Sequence, residues 1–136
     1  MTTNELSKMT AIEFLRKEGK HISIDVLDYI DDNDIYPYRG TKTTYQWFET
    51  TLDLDFDEFY FEADISVSFD CVAWHHPGGL YEPEEHEIDF QDIDAEVRIT
   101  TCMKYDDESE EMKDYNLSFE ERLQVRDYLE NNIWLN

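Results

Sequence analysis

Positive charge is what this chain has least of. Its 11 Lys and Arg stand against 34 Asp and Glu in 136 residues, a formal net charge of -23. Direct binding to DNA, RNA or an anionic lipid surface depends on Lys and Arg displacing counterions, so this balance argues against it. Long apolar runs are missing too. None approaches the roughly 20 residues that span a bilayer as a helix, and the first residues lack the basic and apolar regions of a secretion signal. The expectation is a soluble cytoplasmic protein with no membrane partner. Cysteine is nearly absent: Cys71 and Cys102 are too few for a disulfide framework. Strand alternation puts Cys71 on a buried side and Cys102 on an exposed one, so both read as free thiols. There is no nucleophile elbow, phosphate loop or dinucleotide fingerprint, and with 34 acids paired carboxylates arise by chance. The chain reads as a non-enzyme with no cofactor and no metal.

What is present in quantity is acid and aromatic side chains together. Nine Tyr, eight Phe and three Trp supply enough large apolar surface to bury a core. The acid therefore belongs to a folded domain under self-repulsion, not to a disordered tail. The length fits one domain, residues 1–136.

Patterning divides that domain into four parts. Residues 1–36 read as a helical hairpin: Thr10 and Glu13 form a capping box, Met9, Ile12 and Leu15 recur at helical spacing, and Gly19 stops the run. A second helix is expected from Ser23, with Ile24, Leu27 and Ile30 on one face. Residues 43–105 read as an antiparallel sheet. The odd positions from Phe59 to Ala73 are all apolar, with Glu62, Asp64, Ser66, Ser68 and Asp70 between them, and a preceding strand carries Phe48, Leu52, Leu54 and Phe56. A turn near Asp57 and Glu58 joins the two. Ile93, Ala95, Val97 and Ile99 make a third run, with Ile88 and Phe90 on the opposite parity, so a bulge is expected near Gln91. Trp74 to Gly79 reads as a loop. Residues 106–116 read as an acidic loop and 117–135 as a C-terminal helix capped by Ser118 and Glu121, with Leu123, Val125, Leu129 and Ile133 turned to the sheet. Trp134 and Leu135 are expected to pin the end of the chain. The class is α+β: an antiparallel meander of three to four strands, with an N-terminal helical pair and a C-terminal helix packed on one face.

Three constellations suggest chemistry and are weaker than their plain alternatives. The helix-Gly-helix outline resembles a DNA reader, but Asp25 and Asp28 stand where Arg or Lys would be needed. Asp53, Asp55 and Asp57 match the first ligands of a calcium loop, yet Glu58 replaces the turn glycine and the pattern lies in strand sequence. His75, His76 and His86, with Cys71 and Glu82, have no recognised zinc spacing. The acidic array itself carries more. By alternation Asp53, Asp55, Asp57, Glu62, Asp64, Asp92, Asp94 and Glu96 share one exposed sheet face, spaced about 6.8 Å along strands and about 4.8 Å between them. Such a lattice resembles successive phosphates, and solubility alone needs a net charge of only about 2 to 8. Tyr60 and Trp74 fall on the same side as aromatic anchors, with Tyr45 and Trp47 close in sequence. A homodimer through part of this face stays open.

Val72-Ala73-Trp74-His75-His76-Pro77-Gly78-Gly79, then Tyr81-Glu82-Pro83-Glu84-Glu85 and Glu87-Ile88, resembles a pattern in small acidic bacteriophage proteins: a strand, a Pro-Gly turn, a Glu-Pro stretch and a strand opening Glu-Ile. The resemblance covers about a quarter of the chain and implies a phage origin. Phage-encoded acidic proteins include DNA mimics that block nucleases, restriction enzymes or CRISPR effectors. The expected function is thus an inhibitor that occludes the basic DNA- or RNA-binding surface of a host protein. The alternative is a non-enzymatic assembly or regulatory module, dimerising, whose acidity serves solubility.

Overall fold

The computed structural model describes residues 9–136. In chain order its elements are α1 (Ala11–Glu18), β1 (Ile22–Ile24), two short 3-10 turns (Val26–Asp28 and Asp32–Asp34), β2 (Gly40–Asp55), β3 (Phe59–His76), β4 (Glu85–Asp106), β5 (Glu111–Asp114), α2 (Phe119–Glu130) and β6 (Ile133–Leu135). Strands β2-β3-β4-β5 form an antiparallel meander, while β1 and β6 make a separate parallel pair.

The central strand β3 sets the plan. Its alternation buries Phe59, Phe61, Ala63, Ile65, Val67, Phe69, Cys71 and Ala73 on one side, each no more than 2% exposed, and turns the residues between them outward. Phe48 and Leu54 from β2 and Val97 and Ile99 from β4 join that inner layer, and α1, α2 and β1–β6 close it with Phe14, Leu15, Ile22, Val125 and Leu129. No polar or charged side chain among the described residues is buried. The core takes only inner-face residues, so the outer sheet face stays polar and wet.

The expected α+β class with an N-terminal helical pair is therefore corrected to a mostly β fold. Helix α1 is present, with the Thr10–Glu13 capping box and Gly19 in the left-handed conformation that ends it. The second helix is absent. Ile22, Ile24 and Val26 alternate with Ser23 and Asp25, a period of two, and the segment pairs in parallel with Ile133–Leu135. A strand followed by one 3-10 turn stands where the helix was expected, and Leu27 is 48% exposed. The part of that hairpin on residues 1–8 lies outside the described residues. Strand β5 occupies residues 111–114 of the expected acidic loop, and β3 continues through Trp74, His75 and His76 before the loop at Pro77. At the C-terminus the helix stops at Glu130. Ile133 is buried from β6 instead, and Trp134 is 58% exposed, stacked on His21 at 3.7 Å.

Two irregularities in β4 flip its parity twice. Ser68 pairs with Asp94 but Asp70 with Gln91, so Asp92 and Ile93 face Phe69 alone. Asp92 takes φ 51, and Ile93, expected inside, is 42% exposed. Then Glu62 pairs with Thr101 and Ala63 with Ile99. Thr100 is the extra residue, its hydroxyl donating to Glu62 O at 3.1 Å. That slip turns Cys102 inward to 8% exposure, which overturns its assignment to the wet side. Burial pushes its thiol up to about 12 and raises that of Cys71.

Glu121 ties the layers together. Ser118 caps α2 as expected, but the Glu121 carboxylate leaves the capping box to accept from Ala11 N at 3.0 Å and from the Tyr115 hydroxyl at 2.9 Å. A carboxylate at the start of α1 also complements the helix dipole.

Two outcomes check this packing. Phe59→Ala removes a ring that contacts Phe14, Phe61 and Tyr115 and should lower unfolding free energy by about 3–5 kcal/mol in denaturant titration. Both thiols should resist a thiol reagent in the native state and react only on unfolding. Fast native labelling of Cys102 would place Thr100 in regular register instead.

Candidate functional site

The outer face can be read row by row across β2, β3 and β4. At the hairpin end the rows are Asp55–Tyr60–Met103 and Asp53–Glu62–Thr101. Next come Thr51–Asp64–Arg98, Glu49–Ser66–Glu96 and Trp47–Ser68–Asp94. Tyr45–Asp70–Gln91, Thr43–Val72–Asp89 and Thr41–Trp74–Glu87 complete it. Neighbouring strands lie about 4.8 Å apart and same-face residues about 6.8 Å apart along a strand. Of the expected site residues, Asp53, Asp55, Tyr60, Glu62, Asp64, Asp94 and Glu96 are brought together on this surface.

Three expected members do not join it as drawn. Asp57 sits in the β2–β3 turn at φ 68, its N–H donating to Asp55 Oδ1 at 3.0 Å. Asp92 is in the bulge and holds no register position. Trp74 shares the face with Tyr60 but fourteen positions away, at the opposite end of β3, so the two cannot act as one aromatic anchor. Conversely, Glu49, Asp70, Glu87 and Asp89 belong to the face and were not in the expected set. The same alternation that places Asp53 and Glu62 would have found them.

One cation interrupts the lattice. Arg98 Nε lies 3.9 Å from Asp64 Oδ2, with both side chains largely exposed, so the pair contributes little. Thr51 donates to Asp64 at 2.9 Å, and the Tyr60 hydroxyl donates to Glu62 at 3.0 Å. Desolvation, then that bond and the nearby Asp53, push the Tyr60 phenol up to about 12. It stays a neutral donor. At the hairpin end a depression of about 380 Å³ is lined by Asp55, Asp57, Glu58, Tyr60, Tyr105 and Met112. Carboxylates beside two aromatic rings and a thioether suit the ammonium or guanidinium head and the apolar stem of a Lys or Arg side chain.

His75 and His86 are cross-strand partners, but the histidines among the described residues do not assemble a ligand cluster. His75 Nδ1 lies 2.9 Å from Pro37 O and 2.6 Å from Tyr38 O, and its Nε2 lies 2.8 Å from Glu84 Oε1. His76 pairs with Glu82, and His86 packs edge-on to Tyr36. Among the described residues no group of three or more His, Cys, Asp or Glu side chains is set to hold a metal ion, the Asp53–Asp57 pattern included. No helix among them is long and apolar enough to cross a membrane.

His75 is instead a clamp between the segment before β2 and the β3–β4 loop. All its partners are acceptors, so the imidazolium, in which both ring nitrogens donate, is the form that satisfies every contact. The Glu84 bond is the main reason its pKa is raised, with the two carbonyls adding to it. A folded value above the unfolded one makes the clamp's contribution full below about pH 6.5 and lost as pH rises through the raised value. The stability difference between wild type and His75→Gln should therefore be largest on the acid side and shrink as pH rises. Denaturant titrations of both proteins across that range measure it, and a gap that widens with pH would contradict the imidazolium. Comparison with protein-family models, curated proteins and solved structures returns no match for this chain, so the geometry of the acidic face carries the functional argument.

Proposed function

We propose that the outer face of β2–β4 binds the basic nucleic-acid-binding surface of a host protein and excludes DNA or RNA from it. The observation that supports this reading is the uncovered sheet face, on which Glu49, Asp53, Asp55, Glu62, Asp64, Asp94 and Glu96 stand in register with Arg98 as the cation among them. A lattice fixed by strand pairing meets a basic groove without the ordering cost that a flexible acidic tail would carry. Net charge of -23 would speed encounter with a cationic partner and make it sensitive to salt. Tyr60 and the depression beside it would supply short-range contact. In this reading the protein is of phage type, acts in the host cytoplasm, performs no catalysis and needs no cofactor.

The test is capture from bacterial lysate at low salt, with elution by stepped salt or by added duplex DNA. The expected result is a basic nucleic-acid-binding protein that DNA displaces. Its affinity should fall about tenfold or more, the equivalent of about 1.4 kcal/mol, for a folded variant carrying Asp53→Lys, Glu62→Lys, Asp64→Lys and Glu96→Lys. Unchanged capture by that variant would remove the acidic face from the interface.

A further inference from the structure

We infer that the free edge of β2 is a self-association surface, where a second copy of this chain adds its own β2 in antiparallel pairing. Strand β2 is the outermost strand of its sheet and pairs with β3 over its whole length with no register shift. The direction of its free backbone groups follows from the other edge. Val97 donates its N–H to Glu130 Oε1 at 2.9 Å, and Ile99 O accepts from Arg122 at 2.6 Å, both on the side away from β3. The Ile65–Val97 pair is thus not bonded between β3 and β4, and Ile65 turns its N–H and C=O toward Thr50 of β2. By alternation the odd-numbered residues from Thr41 to Asp55 present their backbone groups to the open edge.

The two edges of the sheet are treated differently. α2 covers the middle of the β4 edge with Glu130 and Arg122. Nothing among the described residues pairs with the β2 edge, and it carries neither a bulge nor a proline. A long edge strand without such protection is a template for another strand.

Charge selects the occupant. Ile35 to Phe48 holds no Asp or Glu, the longest such stretch in a chain with 34 of them, and it carries Arg39 and Lys42. The other half of β2 carries Glu49, Asp53 and Asp55. Antiparallel pairing of two copies sets the acid-free half of each strand beside the acidic half of the other. A two-fold centre anywhere from Tyr45 to Phe48 opposes no carboxylate to a carboxylate, whereas a centre at Glu49 would. Tyr45 and Trp47, 67% and 63% exposed, lie in the region such pairing would cover. Over most of the surface two such chains repel, and here they need not. This inference is independent of the reading of the acidic face.

Sedimentation equilibrium decides it. The wild-type chain should approach twice its monomer mass of 16.4 kDa at micromolar concentration. Self-association should strengthen with added salt, which screens the repulsion of two acidic bodies. Binding to a basic partner would show the opposite dependence, so the two readings can fail separately. Thr43→Pro removes an edge N–H that makes no bond to β3, and should raise the dimer dissociation constant about tenfold or more with circular dichroism unchanged. Tyr45→Asp with Trp47→Asp should do the same through side chains alone, and decides the matter if the proline variant is unfolded. A wild-type monomer at every concentration and salt overturns the inference. So does a dimer indifferent to the decisive variant, or one that weakens as salt is added.

Discussion

The repulsion among 34 acids has to be held off the core, and one strand does most of that work. Phe59 to Ala73 sorts its side chains by alternation into a dry row and a wet row, and the neighbouring strands follow its register. The described residues contain six ion pairs, two of them through histidine, and most of the partners are exposed. Exposed pairs contribute about 0–1 kcal/mol each, so they do not neutralise the surface. What stabilises the chain is the apolar inner layer, and the acid is left displayed on the other side.

Irregularities in β4 complete this division. At Asp92–Ile93 and again at Thr100 the strand gains a residue, which keeps Phe90, Val97, Ile99 and Cys102 inside despite an uneven spacing in sequence. The helix after β5 then serves the edge of the sheet. Glu130 and Arg122 satisfy backbone groups of Val97 and Ile99, while Glu121 joins α1 to the chain before α2. Polar side chains are spent on edges and helix ends. The outer face keeps its carboxylates with little internal compensation, a poor arrangement for stability and a suitable one for a cationic partner.

Much of this was readable from residues alone where the pattern was long. Fifteen alternating residues from Phe59 to Ala73 leave one periodicity, and Thr10 with Glu13 marked a helix start that is present. Short segments failed. Ile24, Leu27 and Ile30 fit a helix face as well as Ile22, Ile24 and Val26 fit a strand, and what decides is parallel pairing with Ile133–Leu135 at the far end of the chain. Cys102 was misplaced because a single extra residue reverses every later side chain. Asp57 and Asp92 left the lattice for a related reason: a positive φ takes each out of the pleat. Glu121 had the spacing of a capping box, but a partner 110 residues away holds its carboxylate.

On this surface the charge opposes the fold instead of stabilising it. Denaturant unfolding at rising concentrations of a monovalent salt tests it most directly. If the outer face is a lattice of mutually repelling carboxylates, screening should raise the unfolding midpoint steadily while the slope of the transition stays constant. A midpoint that falls with salt would mean that the acids make net favourable contacts within the molecule, and the surface would then be structural.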